Sequence, residues 1–137
     1  MTQMVNIQET PISKLVPIVY IAGPYTADSY RGVDFNIEIA RKAAVFLARH
    51  RIAYICPHLN SAHFDTALPT IPYSYWTNMY LELLRRCDAI LLVGYWRNSK
   101  GTQVEIAEAE RCGIPVLHKP AEALKWYNER IKGEATV

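Results

Sequence analysis

Apolar and polar positions along the chain switch repeatedly between two periods, and the switches mark out the elements. Residues 17–22 (PIVYIA) form a β-branched apolar run that ends at Gly23-Pro24, which predicts a buried strand and a tight turn. Val33, Ile37, Ala40, Ala44 and Leu47 then recur at helical spacing, with Glu38 four residues before Lys42 on the outer face. Residues 52–56 (IAYIC) predict a second strand, stopped by Pro57. The stretch 58–72 (HLNSAHFDTALPTIP) is polar and proline-punctuated, and predicts a long loop of the kind that is usually functional or mobile. A second helix is predicted over 75–86, with Met79, Leu83 and Leu84 facing inward. The run 89–93 (AILLV) is continuously apolar, as a central parallel strand should be. Residues 102–112 predict a third helix closed by Gly113 as its C′ glycine. A fourth strand at 114–117 and a closing helix at 121–131 follow. Residues 1–15 are polar and aperiodic, and read as a loosely held arm.

Strands alternating with helices require crossovers. The expected fold is therefore α/β: one domain spanning 1–137, with a doubly wound parallel sheet of four to five strands and helices on both faces. In such sheets ligands bind beyond the carboxyl ends of the strands. Loops 23–31, 58–63 and 94–101 follow the first three strands and should open on one common edge. Asp88 enters the third strand from the opposite edge and reads as structural.

Composition narrows the chemistry. With 137 residues and half of them apolar, the chain can fill a core. A net charge of +2, with Lys and Arg scattered, argues against a nucleic-acid surface and places any bound phosphate on a small molecule. Three widely spaced cysteines, Cys56, Cys87 and Cys112, contain no C-x-x-C pair, so neither a disulfide framework nor a zinc site is expected. The amino terminus lacks a signal-peptide pattern, and no apolar stretch approaches the roughly 20 residues of a membrane span. The expectation is a cytoplasmic protein without membrane contact.

Two segments carry candidate chemistry. In Ser99-x-Gly101-x-x-x-Glu105 a glycine lets backbone approach a ligand, and free amides at a helix start favour an anion. Glu105 then falls in the first helical turn, with its carboxylate near the crevice. The same residues contain Thr102-x-x-Glu105, a capping box in which Glu105 only satisfies the helix start. Local sequence leaves both readings open. The first strand ends in Tyr20-Ile21-Ala22-Gly23-Pro24-Tyr25-Thr26. It has neither a G-x-G-x-x-G fingerprint nor a phosphate-binding G-x-x-x-x-G-K, so no dinucleotide cofactor is implied.

After the second strand, His58, Asn60, Ser61, His63 and Asp65 form a polar cluster suited to base or ribose recognition, or to bonding their own loop. Their spacing matches no common metal pattern, and neither a metal nor a cofactor is expected. Tyr73, Tyr75, Trp76 and Tyr80 could wall a base pocket, form a dimer interface or pack in the core.

Three segments together resemble the nucleoside 2-deoxyribosyltransferase superfamily: YIAGPYT, ICPHLNSAHFD and LLRRCDAILLVGYWRNSKGTQVEIAEAERCGIPV, which span about residues 18–117. The likeness is nearest to a small bacterial and phage branch related to deoxynucleoside 5′-monophosphate N-glycosidases. The resemblance implies a flavodoxin-like sheet and a retaining mechanism, in which Glu105 attacks C1′ of the sugar and expels the base. It also implies that Tyr20 orients that glutamate. Ser99, six residues before Glu105, stands where deoxyribosyltransferases carry a carboxylate and the monophosphate glycosidases a serine. A hydroxyl can donate to a 5′-phosphate that a carboxylate would repel.

Other positions depart from the pattern. Pro24 and Thr26 stand where the monophosphate glycosidases have serine and arginine, leaving Arg31 as a candidate cation. The second acid of the superfamily falls on Tyr80, and a phenol is a far weaker acid than a carboxyl. Either Tyr80, His58, His63 or Asp65 then protonates the base, or the glycosidase chemistry is slow or lost.

The expected function is an N-glycosidase or base-exchanging deoxyribosyltransferase acting on (deoxy)nucleoside 5′-monophosphates. The alternative is a nucleotide-binding or sensing domain using the same cleft. The expected catalytic residues are Glu105, Tyr20, Tyr80 and His58. Substrate would be bound by Gly23, Pro24, Tyr25, Thr26, Asn60, His63, Asp65, Ser99 and Gly101. Relatives are homo-oligomers, and residues 73–80 with Trp126 and Tyr127 are the expected interface material.

Overall fold

The computed structural model describes residues 16–135, so the expected arm at 1–15 lies outside the described residues. Four strands form one parallel sheet in the order β2-β1-β3-β4: β1 (Ile18–Ala22), β2 (Ala53–Ile55), β3 (Ala89–Leu92) and β4 (Val116–Leu117). β1 pairs with β2 from Ile18↔Ala53 and with β3 from Val19↔Ala89, so it lies at the centre with β3. The chain leaves β1 towards β2, then crosses back over it to β3. That reversal opens a crevice at the carboxyl ends of β1 and β3.

Helices cover both faces. Val19 and Ile21 of β1, with Ala89 and Leu91 of β3, pack against Ala40, Ala44 and Leu47 of α1 (Tyr30–Arg49) and Ala123 and Tyr127 of α6 (Pro120–Ala135). Side chains of opposite parity, Tyr20, Ala22, Ile90 and Leu92, pack against Leu84 of α4 (Tyr73–Arg85) and Ala109 of α5 (Lys100–Arg111). The period of two along each central strand sorts these residues into two cores. The fold is the α/β architecture with a parallel sheet that the alternating pattern predicts, in the flavodoxin-like form that the resemblance implies.

Several boundaries differ from the expectation. The stretch 58–72 is not structureless: it contains α2 (Pro57–Asn60) and α3 (Phe64–Ala67), each a single turn. α1 begins at Tyr30, where the Ser29 side chain accepts from the Gly32 amide at 3.0 Å. Gly113 does close α5, at φ +72°, with Ile114 N–H bonded to the Ala109 carbonyl and Gly113 N–H to that of Glu110. Asp88 accepts from the Ile18 amide at 2.8 Å and faces Arg130 at 3.6 Å, which ties α6 to the edge away from the crevice. Tyr127 is buried in the core beneath α6 and cannot serve as interface. No helix among the described residues is long and apolar enough to cross a membrane.

Candidate active site

At the crevice lies a cleft of about 620 Å³, a size suited to a small-molecule ligand. Three loops build it, as the topology requires: Gly23–Thr26 after β1, the segment from Pro57 after β2, and Tyr95–Gly101 after β3. Gly23 must be glycine for a packing reason. A Cβ there would lie 2.7 Å from both the carbonyl oxygen and Cγ2 of Val93. The bare backbone thus lets the first loop leave the sheet hard against β3.

Ser99 is the N-cap of α5. Its Oγ accepts from the Thr102 amide at 3.2 Å and from the Thr102 hydroxyl at 2.9 Å. The helix therefore starts at Lys100, two residues before the expected start, and Glu105 lies in the second turn instead of the first. The capping-box reading of Thr102-x-x-Glu105 fails on this geometry, because the cap pair is Ser99 with Thr102. Glu105 is left to line the cleft.

Its partner is Tyr20, fully buried on β1, whose hydroxyl donates to Glu105 Oε2 in a short hydrogen bond. Burial pushes the Glu105 carboxyl up to about 7, partly offset by the Tyr20 hydroxyl, which favours the charged form. The Tyr20 phenol is driven far above its ordinary value, first by burial and then by the adjacent Glu105, so it acts as a donor only. A carboxyl balanced near neutrality on the wall of a cleft has the properties of a nucleophile or general base.

His58 is buried, with Nε2 2.8 Å from the Pro24 carbonyl, so the loop after β2 is strapped to the loop after β1. Burial holds its pKa below the ordinary histidine value. The neutral ring donates to Pro24 and leaves Nδ1 without a hydrogen-bond partner among the described residues. Tyr80 is held by the same segment. Its hydroxyl receives Asn60 Nδ2 at 3.1 Å, contacts Ser61 Oγ, and lies 3.3 Å from the Pro57 carbonyl. Asn60 is thus brought to Tyr80 and not to the cleft wall.

His63 is also held elsewhere. It sits in the left-handed region at φ +59°, stacks on Tyr30 at 4.2 Å and bonds Asp34 through Nε2 at 2.6 Å. Its amide donates to the Tyr25 hydroxyl at 2.7 Å, so it braces a lining residue from behind.

Of the residues singled out from sequence, Gly23, Pro24, Tyr25, Thr26, His58, Asp65, Tyr80, Ser99, Gly101 and Glu105 all line the cleft. Tyr73 and Trp76 join them, whereas Tyr75 does not. Arg31 is exposed and outside the lining, and the cation that does line the cleft is Lys100. Sequence reasoning also passed over Asn36, whose Nδ2 donates to the Tyr25 carbonyl at 3.1 Å. Its one signal was a polar residue three positions after Val33, on the inward side of α1. No group of three metal-ligating side chains is found among the described residues.

The matching family model covers residues 17–119, from the first strand to just beyond the fourth. The chain belongs to the family described as a domain of unknown function, DUF7768. The DUF7768 segment contains every cleft-lining residue named above. No curated protein matches this sequence. Among solved structures, the chain is similar to a 2-deoxyribosyltransferase from the psychrotolerant bacterium Bacillus psychrosaccharolyticus, with a TM-score of 0.53 and 19% identity. The likeness covers 72% of this chain and 69% of that one, and at such identity it is a likeness of fold.

Proposed function

We propose that this DUF7768 chain cleaves the N-glycosidic bond of (deoxy)nucleoside 5′-monophosphates through a covalent glycosyl intermediate on Glu105. The observation that carries the reading is the Tyr20–Glu105 pair on the wall of the cleft. An oxocarbenium-like transition state is stabilised by a carboxylate beneath C1′, and a bond to that carboxylate splits one difficult displacement into two easier ones. Water would then release the sugar, or a second base would accept it. The fold shared with a 2-deoxyribosyltransferase supports the reading.

Ser99, Gly101 and Lys100 suit a 5′-phosphate. Both cap bonds of Ser99 use its oxygen as acceptor, so its own proton remains for a ligand. The first amides of α5 have no intrahelical acceptor, and Lys100 adds a positive charge beside them. The test is incubation with a panel of nucleotides and nucleosides, with chromatography for free base. The expected result is release from monophosphates and none with Glu105→Ala. Release from no substrate, or equal release by the variant, overturns the reading. If an added second base becomes attached to the sugar, the enzyme is a transferase.

A second reading, a nucleotide-binding or sensing domain, is favoured by the phenol of Tyr80 at the position of the usual second acid. Nucleotide binding by calorimetry without turnover would select it. The exposed rings of Tyr73 and Tyr75 are the surface we assign to a homo-oligomer contact, to be tested by sedimentation of wild type against a Tyr75→Ser variant.

A further inference from the structure

If Glu105 attacks C1′, the base must depart, and a neutral purine or pyrimidine departs readily only when a group on the enzyme gives it a proton. The hydroxyls and rings of this cleft are poorly arranged for that. Tyr80 has Asn60, Ser61 and the Pro57 carbonyl around its oxygen, all on the segment after β2. The N–H of His58 is directed at the Pro24 carbonyl, and its other nitrogen carries no proton. The Tyr25 hydroxyl accepts from the His63 amide and keeps its own proton, but burial makes it a weaker acid than an ordinary phenol, and Tyr20 is sealed behind Glu105. Asp65 brings a carboxylate to the cleft from the exposed turn of α3. It follows Phe64, whose ring meets that of Trp76 edge-on at 6.0 Å.

Carboxylate and aromatic faces together suit a cationic ring. Lys100 and the start of α5 suit an anion. The cleft is thus complementary to a ligand with a positive base and a negative phosphate.

Resting on the glycosidase reading above, we propose that the preferred substrates are nucleoside monophosphates whose base is already a cation, such as a pyridinium or an N7-alkylated purine. Such a base needs no acid. A carboxylate oxygen of Glu105 forms a bond to C1′ as the C1′–N bond breaks. The electron pair of the broken bond returns to the ring and cancels its charge, so the base leaves neutral. Water then attacks C1′, the ester to Glu105 breaks to restore the carboxylate, and one proton passes to solvent.

The test compares kcat/KM for nicotinamide mononucleotide and N7-methylguanosine 5′-monophosphate with guanosine, adenosine, cytidine and uridine monophosphates. The pair N7-methyl and unmodified guanine is repeated on deoxyribose. The expected result is a preference for each cationic base of at least about a hundredfold, the low end of what a positioned general acid contributes, abolished in both classes by Glu105→Gln. A smaller ratio, or faster release of the neutral bases, overturns this inference and leaves the glycosidase reading standing. Release from neither class overturns both.

Discussion

On the proposed function Glu105 must be ionised to act on a sugar, yet burial works against its ionisation. Its carboxyl is pushed up to about 7, so the reactive form is lost as pH falls through neutrality. On the proposed function, kcat/KM should rise with pH to a plateau above about 8 and fall roughly tenfold per unit on the acid side. Tyr20→Phe removes the one donor that favours the carboxylate. A hydrogen bond to a charged group is worth about 1.5–3 kcal/mol, so the acid limb should move up by about one to two pH units. Activity at pH 6 should then drop at least about tenfold while activity at pH 9 changes little. A loss equal at every pH would show that Tyr20 only supports the structure. Glu105→Gln should lower base release by roughly a thousandfold or more at all pH values.

The helix that carries Glu105 is positioned by its cap and by the strand behind it. Ser99→Ala removes both bonds to Thr102 and should lower stability by about 1 kcal/mol, read from the urea midpoint. It should also raise KM for monophosphates more than for nucleosides, since the hydroxyl is the proposed donor to phosphate. Gly23→Ala pushes a methyl against the Val93 carbonyl and should cost about 1–3 kcal/mol in the same measurement.

Those elements differ in how plainly the sequence announced them. β1 and β3 were legible because both faces are buried and the runs are apolar throughout. α2 and α3 were not, because a single turn has no period to detect and cannot persist on its own. Tertiary bonds hold them, α2 through Asn60 and the Pro57 carbonyl to Tyr80, and the start of α3 through the His63 amide to the Tyr25 hydroxyl. The start of α5 is not legible, because Thr102-x-x-Glu105 and Ser99-x-x-Thr102 compete as caps, and only the packing of the buried Thr102 decides between them. The loops of the cleft followed from topology alone. Asn36 and Lys100 did not, because nothing local marks a helical asparagine or an N-terminal lysine as facing a ligand.

For the molecule as a whole, the site is a cost to folding. Glu105 holds its proton more tightly in the folded chain than in the unfolded one, where a glutamate titrates near 4.5. Below that value both states are protonated and Glu105 costs nothing. Between there and about 7 the unfolded state gives up its proton first, so stability falls as pH rises, and above 7 the penalty is complete. Its size is on the order of 3 kcal/mol. Glutamine keeps an oxygen for the Tyr20 hydroxyl but has no charge to bury. Glu105→Gln should therefore be more stable than wild type at pH 8, by up to about 3 kcal/mol in denaturant titrations. At pH 4 the two proteins should unfold together. A variant no more stable than wild type at pH 8 would mean that Glu105 is better solvated than its setting between β1 and α5 implies, and its role as a carboxyl balanced near neutrality would fall with it.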